Sequence, residues 1–385
     1  MNNLQINKTM KTFVMLFMIL PLIISSCKEI EVGTSTTIGY DLPEKENGAG
    51  IEGVEIKIVP LEQKPGFALD SPKKLEMTDS IVYILDSRQL VSYTADGKFR
   101  CKIGQNGHGH NEYITLTTFY VDGDKNVVLF DSYKNSLIKF NKDGKFLNEK
   151  KLSPADLKYA QSIMPMEEGN QLFVYNYIYN NFNQLCRTID TESGKETEIC
   201  STPLCTDNTM EFVGKNPCST QDGTIRYIKP FDNNIYNYTD NSILRIDTKE
   251  KMLSDKELNE IKNYGIMTYA ECMAGGIFMG FTDIFETDRH IFLVCHNMAY
   301  TIIDKETMKC QKFSYGFQAS GKGCPFYCIY GACKNKLIGL LTDEDVENIT
   351  KSGKGKFAES LKKAVKKRLY DQVLVLYDTE NMRFQ

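Results

Sequence analysis

Two stretches of the chain place apolar and polar residues in the same order. In residues 81–99, an apolar run that ends at Asp86 is followed by a polar turn, a second apolar run and an Asp-Gly turn. Residues 127–146 repeat this order about 45 residues further on, with Asp131 at the position of Asp86. Each stretch has the pattern of a strand, a turn, a second strand and a hairpin, and recurrence at a fixed spacing indicates a repeat architecture. We interpret the two stretches as blades of a β-propeller.

Further apolar strand patterns divide the rest of the chain into four more groups. The predicted strands are 171–177, 184–190, 224–228, 234–238, 243–247, 277–281, 290–294, 299–304 and 336–341, and the sixth group begins at Phe326. Six groups over residues 51–385 average about 56 residues, which exceeds the roughly 40–50 residues of common propeller repeats. The excess indicates inserted loops.

Residues 54–58 alternate polar and apolar positions and predict the first strand of the fold. We expect this strand to pair with the C-terminal run at 372–377, because a propeller protects its sheet edges by completing one blade with strands from both ends of the chain. The predicted fold class is therefore all-β, a six-bladed β-propeller closed by N- and C-terminal strands, with short helical insertions.

Three insertions have helical patterns. Ser153 precedes a proline at a first helical position, and residues 254–257 form a capping box. Residues 357–369 place apolar side chains on one stripe and lysines on the opposite face. Such a basic amphipathic helix can bind a membrane surface, but we favour a helix that packs on the propeller with a solvated basic face.

The N-terminus has the pattern of a targeting segment. Lys8 and Lys11 precede an apolar run at residues 13–24, which is shorter than the roughly 20 residues that a membrane-spanning helix needs. Ile24-Ser25-Ser26-Cys27 follows and resembles a bacterial lipobox, in which the cysteine becomes the lipidated first residue. We expect a lipoprotein signal peptide at 1–26, a flexible tether at 27–50 and the propeller at 51–385.

Lys28-Glu29-Ile30-Glu31 resembles the signal that directs some lipoproteins to the outer face of the outer membrane. We therefore expect an outer membrane lipoprotein, periplasmic or surface-exposed, that contacts the membrane through its N-terminal lipid. The formal net charge of -4 and the absence of a basic stripe argue against nucleic acid as a partner.

Cysteine is unusually frequent, and its number is awkward for disulfides. Of 12 cysteines, assigning Cys27 to lipid leaves 11, which cannot all pair. We expect most of them to be small buried apolar residues, as Cys295 in an apolar strand should be. One or two disulfides remain an alternative, with Cys324, Cys328 and Cys333 as their favoured members.

Residues 131–146 resemble an NHL-type blade. Residues 103–113 resemble the Ile-Gly…Gly-x-Gly-Pro-Gly-Glu-Tyr loop of exported six-bladed β-propeller lipoproteins, a group similar to NHL and TolB-like propellers, although His110 replaces proline and Asn111 replaces glycine. The resemblance covers nearly all of the mature chain and implies no established enzymatic activity. The ligand-facing residues that we expect in this loop are His108, His110, Glu112 and Tyr113.

Other chemistry-bearing patterns are weak, and we expect neither a metal nor a cofactor. His108 and His110 supply only two of the four ligands of a structural zinc site. Residues 122–126 lack the glycine and the glutamate that complete a calcium loop, and residues 316–323 lack the serine or threonine of a phosphate-binding loop. No Gly-x-Ser-x-Gly elbow of a serine hydrolase occurs.

Asp86 and Asp131 hold equivalent positions in the two clearest blades. Such residues could ring the central channel, but aspartate at this position more often accepts backbone hydrogen bonds in a turn, which is the interpretation that we favour.

Two functions remain. The favoured one is a non-catalytic binding or scaffolding module whose 21 tyrosines offer a polar aromatic face to a protein or glycan. The alternative is a calcium-dependent propeller hydrolase or lyase, which requires three or more Asp, Glu or His side chains to converge at the axial channel.

Overall fold

The computed structural model describes residues 33–40, 51–65, 67–78, 80–152, 157–167, 170–177, 184–202, 214–261, 266–296, 299–313, 325–353, 355–366 and 370–384. In chain order, the strands are β1 (Ser35–Gly39), β2 (Ile51–Glu52), β3 (Glu55–Glu62), β4 (Lys74–Met77), β5 (Ile81–Leu85), β6 (Leu90–Thr94), β7 (Phe99–Ile103), β8 (Gln105–Asn106), β9 (Glu112–Tyr113), β10 (Leu116–Val121), β11 (Val127–Asp131), β12 (Ser136–Phe140), β13 (Phe146–Lys151), β14 (Ala160–Pro165), β15 (Gln171–Asn176), β16 (Gln184–Asp190), β17 (Glu196–Ser201), β18 (Cys218–Gln221), β19 (Thr224–Ile228), β20 (Asn234–Asn237), β21 (Ile243–Asp247), β22 (Phe281–Glu286), β23 (His290–Cys295), β24 (Tyr300–Asp304), β25 (Cys310–Phe313), β26 (Ile329–Cys333), β27 (Lys336–Leu341), β28 (Tyr370–Asp378) and β29 (Arg383–Phe384). The helices are α1 (Asp255–Glu260), α2 (Ile266–Ala274), α3 (Asp343–Ser352) and α4 (Lys356–Val365).

These strands form a six-bladed propeller, as the sequence predicts. Blades 1 to 5 are the antiparallel meanders β4–β7, β10–β13, β14–β17, β18–β21 and β22–β25, and blade 6 combines β26, β27 and β28 with β3. The first strands of neighbouring blades lie against one another, β4 beside β10 and β26, and β22 beside β18 and β26. The first strand of each blade therefore faces the central axis.

Strands from both ends of the described chain close the ring. β3 pairs antiparallel with β28, with Ile58 opposite Val375 and Val59 opposite Leu374. This pairing confirms the predicted contact between residues 54–58 and 372–377. β2 and β29 add a second, shorter pairing between the same two regions. The closure gives blade 6 four strands, as many as blades 1 and 5 on either side have, and it buries apolar side chains such as Leu61.

Apolar side chains between adjacent blades form the core. Tyr83 of blade 1 and Phe119 of blade 2 are fully buried, and their ring centroids are 6.5 Å apart. Successive residues of a strand point to opposite faces of its sheet, and both faces of a blade are covered by neighbours. This double coverage explains why β5 is buried along its whole length.

Two strand predictions are corrected by the structure. The predicted strand at 277–281 is wrong, because the first strand of blade 5 begins only at Phe281. Gly280 just before it has φ of +93°, a conformation that continues no strand, and Phe231 donates a backbone hydrogen bond to Met279. In addition, Ser35–Gly39 lies within the expected tether but forms β1, a fifth strand of blade 4 that pairs in parallel with β21.

The helices agree in part with the sequence pattern. The predicted capping box at Ser254 starts α1, and α4 forms within the amphipathic stretch. Leu361 is buried in the core while Lys362 and Lys363 are exposed, so the apolar stripe of α4 packs on the propeller. Residues 153–156 lie outside the described residues, and α2 and α3 were not predicted. No helix in the described ranges has the length and apolarity to cross a membrane.

The described cysteines are present as thiols. Cys295 is buried, as predicted, and Cys328 and Cys333 form no disulfide, while Cys324 lies outside the described residues. Cys186 and Cys200 face each other across β16 and β17.

Candidate functional site

The aspartates that recur in the blades accept hydrogen bonds from turns. The Asp131 carboxylate accepts from the backbone N–H groups of Ile114, Thr115, Tyr133 and Lys134, at N···O distances of 2.6 to 3.2 Å. Asp86 accepts in the same way from Asp70, Arg88 and Gln89. Both residues are buried, and these hydrogen bonds confirm the favoured interpretation as turn acceptors.

In the loop at residues 103–113, Glu112 holds the backbone in place. Its carboxylate accepts from the backbone N–H of Gly109 at 2.7 Å and from Nε2 of Gln105 at 2.5 Å. The Gly109 hydrogen bond is the main reason why the pKa of Glu112 lies below its ordinary value. The carboxylate is therefore used within the loop.

The other expected ligand-facing residues separate in the structure. Tyr113 is buried, and its hydroxyl donates to the carbonyl of Arg88 at 3.3 Å, which corrects the expectation that it faces a ligand. Burial also raises the pKa of Tyr113 to about 12. His108 and His110 are exposed, and the His110 ring lies 5.0 Å from the Phe146 ring. Cys27 lies outside the described residues.

A cavity of about 450 Å³ opens at one end of the propeller axis. It lies where the first strands of the blades begin and the second strands end, which is the end of a propeller that collects side chains from many blades. The residues that line it are Ser71, Pro72, Lys73, Lys74, Leu85, Thr117, Thr118, Gln161, Tyr177, Lys215, Tyr330 and Thr342.

Two lysines of this axial cavity are held by the protein. Lys74 Nζ lies 2.8 Å from a Glu76 carboxylate oxygen and donates to the carbonyl of Phe119 at 2.6 Å. Lys215 Nζ donates to the carbonyl of Pro72 at 2.7 Å and lies 4.5 Å from the centre of the Tyr330 ring. The ammonium groups are therefore fixed at the mouth rather than extended into solvent, whereas the side chain of Lys73 is exposed at the rim.

The carboxylates near the cavity are bound by backbone groups and do not converge. The second Glu76 oxygen accepts from the N–H of Val121 at 3.0 Å, and Asp283 accepts from the N–H of Asn216 at 2.8 Å. Removal from water raises the pKa of Asp283. Among the described residues, no group of three or more His, Cys, Asp or Glu side chains could hold a metal ion.

Two residues of the cavity wall each carry a buried polar atom for which the described residues provide no hydrogen-bond partner. Gln161 is 7% exposed, and its Nε2 donates to the carbonyl of Gly214 at 2.5 Å, so the amide orientation is settled and Oε1 remains unpartnered. Thr118 is 1% exposed, and its hydroxyl is also unpartnered. Both atoms are shielded from water-sized molecules, so they lie within the wall rather than on its open surface.

The sequence carried no signal for this cavity. Lys73, Thr118, Gln161 and Lys215 belong to different blades or to the segments that precede them, and no short motif joins them. Only the closed ring brings them together.

Comparison with known proteins assigns a family to this propeller. The family model described as a domain of unknown function, DUF4934, matches residues 53–372, which include strands of all six blades and end within β28. The chain belongs to the DUF4934 family. No curated protein matches this DUF4934 chain.

Two solved structures resemble the DUF4934 propeller over most of its length. A Bacteroides fragilis protein described as exported is 17% identical, covers 91% of this chain and 100% of its own, and superposes with a TM-score of 0.66. A DUF4221 family member from Bacteroides vulgatus is 8% identical, covers 89% of this chain and 100% of its own, and has a TM-score of 0.53. At these identities the similarity shows the fold alone.

Proposed function

We propose that this DUF4934 propeller is a lipid-anchored, non-catalytic binding protein of the cell envelope that takes its ligand in the axial cavity. The observation that carries the proposal is the cavity wall itself. It presents lysine, hydroxyl and amide groups from several blades around one opening. A cavity of this size accommodates a small molecule or the end of a chain.

The cavity favours binding over the calcium-dependent hydrolase or lyase that the sequence left as an alternative. Such an enzyme needs carboxylates that point at the cation and the substrate. Here Glu76 is paired with Lys74, and Asp283 accepts a backbone hydrogen bond. Because these two acids are already used by the protein, the charged group that remains for a ligand is Lys73, which is exposed at the rim.

The proposed anchor is the lipid on Cys27, after removal of residues 1–26. The lipobox pattern supports it, and the similarity to a protein described as exported supports a location in the envelope, either periplasmic or on the outer surface. The described chain begins on blade 4, where Gly33 N–H donates to the carbonyl of Asn241 at 2.9 Å. Five residues lie between Cys27 and Gly33. The six residue-to-residue steps from Cys27 to Gly33 span at most about 21 Å.

This attachment determines which end of the propeller faces the membrane. Asn241 lies in the turn between β20 and β21, the third and fourth strands of blade 4. The axial cavity lies where first strands begin, and third strands run away from that end. The proposed lipid therefore holds the opposite end of the propeller near the bilayer, and the cavity opens away from the membrane, where it can meet a ligand.

A thermal-shift screen tests the binding function. The full-length protein in detergent is incubated with sugars, oligosaccharides, peptides and small metabolites, and its unfolding temperature is measured. Thr117→Trp fills the cavity from its wall, and Thr115→Trp adds the same ring at an exposed position nearby. We expect a stabilising ligand whose effect disappears in Thr117→Trp and persists in Thr115→Trp. A screen without any stabilising class, or a shift that survives in Thr117→Trp, contradicts the proposal.

Membrane fractionation tests the anchor separately. We expect Cys27→Ala to leave the propeller folded, as circular dichroism shows, and to move it from the membrane fraction to the soluble fraction. Continued sedimentation of Cys27→Ala with membranes would count against lipid attachment at this residue.

A further inference from the structure

We infer that Cys186 and Cys200 of blade 3 form a disulfide when the protein meets a disulfide oxidant, and that this bond fastens the outermost strand of the blade. The site draws on the envelope location proposed above and is independent of the axial cavity. Disulfides form and persist in oxidising compartments such as the bacterial periplasm. The two thiols are therefore a redox modification site.

The register between β16 and β17 brings the two cysteines together. Arg187 lies opposite Glu198, and in a regular ladder Cys186 would then lie opposite Ile199. An irregularity between the two pairs shifts the register by one residue, so that Cys186 lies opposite Cys200 instead. Without this shift the two thiols would point to opposite faces of the sheet. The local distortion therefore places both of them on the same face.

The paired positions lie within disulfide distance. Residues directly opposite each other in antiparallel strands have Cα atoms about 4.5–5.5 Å apart, and a disulfide joins Cα atoms about 4.4–6.8 Å apart. The thiols of Cys186 and Cys200 are already in hydrogen-bond contact. In the described part of the chain, no group of three or more His, Cys, Asp or Glu side chains could hold a metal ion. Oxidation to a disulfide is therefore the chemistry that this pair supports.

The two thiols differ in access and in acidity. Cys186 is fully buried, whereas Cys200 lies on β17, the outer edge of blade 3, and is partly exposed. A hydrogen bond from the Cys186 thiol lowers the pKa of Cys200, and the Lys229 ammonium adds to this effect. Burial raises the pKa of Cys186. Because the thiolate is the nucleophile, Cys200 is the residue that reacts first with an oxidant.

The reaction is a thiol–disulfide exchange with an organic disulfide such as glutathione disulfide. The Cys200 thiolate attacks one sulfur of the oxidant, forms a mixed disulfide and releases the other sulfur as a thiolate. The Cys186 sulfur then attacks the Cys200 sulfur, and the second thiol of the oxidant leaves with the proton of Cys186. The two cysteines together lose two electrons, which the two sulfurs of the oxidant gain.

The bond fastens a strand that lies at the edge of its sheet. β17 is the last strand of blade 3 and pairs with β16. The hairpin between these strands is held at its turn, where Asp190 accepts from the backbone N–H of Ser193 at 2.7 Å. Cys186 and Cys200 lie toward the other end of the hairpin. A disulfide there stabilises the folded chain mainly by constraining the unfolded one.

Thiol mapping on the full-length protein in detergent tests the pair. Reduced, folded protein is incubated with glutathione disulfide, the remaining thiols are alkylated in denaturant, and the peptides are identified by mass spectrometry. We expect a link between Cys186 and Cys200 that dithiothreitol releases. Cys218 is the matched control, because it is a buried thiol of the same apolar cluster but lies opposite Tyr227, so it should be recovered alkylated.

Two variants separate the roles of the thiols, and circular dichroism checks that both are folded. Cys186→Ala should stop at the mixed disulfide and carry glutathione on Cys200. Cys200→Ala should carry none on Cys186, which is buried. In the wild type, oxidation should raise the unfolding temperature by about 4 °C, and neither variant should gain this increase.

Recovery of Cys186 and Cys200 as alkylated thiols after oxidation would overturn the inference, and this result requires no variant. A link from either residue to a different cysteine would overturn it as well. An unfolding temperature that oxidation leaves unchanged would show that the bond does not fasten β17. No ligand enters these measurements, so their outcome is separate from that of the thermal-shift screen.

Discussion

Replacing Asp131 by asparagine tests whether the recurrent aspartates stabilise the blades. Asp131 is fully buried at the end of β11, where one carboxylate oxygen accepts from Ile114 N–H at 2.6 Å. The other accepts from the N–H groups of Thr115, Tyr133 and Lys134. In Asp131→Asn, one oxygen remains for the group of three, but the amide nitrogen faces the Ile114 N–H, so two donors meet and that N–H loses its acceptor.

The expected cost follows from these four hydrogen bonds. Losing one bond to a charged acceptor and leaving a buried N–H unsatisfied costs about 1.5–3 kcal/mol. The three remaining bonds change from charged to neutral acceptors, and each loses a few tenths to about 1 kcal/mol. We therefore expect Asp131→Asn to lower the free energy of unfolding by about 3–5 kcal/mol. Asp86→Asn should have a similar effect, because Asp86 is buried and accepts three backbone hydrogen bonds.

Equilibrium urea unfolding, followed by circular dichroism and tyrosine fluorescence, measures this difference. Asp143→Asn is the matched control, since its carboxyl lies in the same blade but is 59% exposed and forms a surface ion pair with Arg100. Its effect should therefore stay within about 0.5 kcal/mol. A loss below about 1 kcal/mol in Asp131→Asn, or an equal loss in the control, would refute the assignment of these aspartates as essential turn acceptors.

Three further predictions concern the closure, a buried histidine and the C-terminal helix. Gly97→Ala should lower the free energy of unfolding in urea by about 2 kcal/mol or more, because Gly97 has φ of +87° and a Cβ would lie 2.5 Å from a carbonyl oxygen of β3. Gly123→Ala is the control and should change little, because the space around Gly123 is open. Equal effects of the two substitutions would contradict the tight contact. Burial lowers the pKa of His290 to about 4, below the ordinary 6.5. As the pH falls, the histidine is therefore protonated in the unfolded chain before it is protonated in the folded protein. The free energy of unfolding should fall by up to about 3 kcal/mol between pH 6.5 and pH 4. A pH titration of the unfolding free energy checks this, and His290→Gln should remove that part of the loss. Leu361→Ala should lower the free energy of unfolding by about 2–5 kcal/mol, because Leu361 is buried, whereas Lys362→Ala should lower it by less than about 0.5 kcal/mol. If Leu361→Ala instead left the membrane without losing stability, α4 would be a membrane-binding helix.

Most strands that the sequence predicted are the second and third strands of the blades. β5 and β11 are continuous apolar runs, and each is buried along its whole length between neighbouring blades. The first strands of the blades were mostly missed. β14 and β18 mix polar with apolar residues, because they border the open axis rather than a second sheet. Local apolar pattern therefore identifies the strands deep in a blade and fails at its inner edge.

The same property explains why the site was missed. Gln161 lies on β14 and Thr118 on β10, and their polar side chains weakened the strand pattern while they formed the cavity wall. The sequence search examined short motifs, which detect residues that are close along the chain. It proposed the loop with His108 and Glu112, a region that the structure places outside the wall of the axial cavity.

The sequence by itself determined the repeated blade, the closure between β3 and β28 and the turn role of Asp86 and Asp131. Each depends on local alternation, on an Asp-Gly turn or on the need to cover a sheet edge, and these can be judged over a few residues. Only the tertiary structure formed the axial cavity, in which we propose that a ligand binds. The groups of the axial cavity become neighbours when six blades close around one axis, and no spacing along the chain records that convergence.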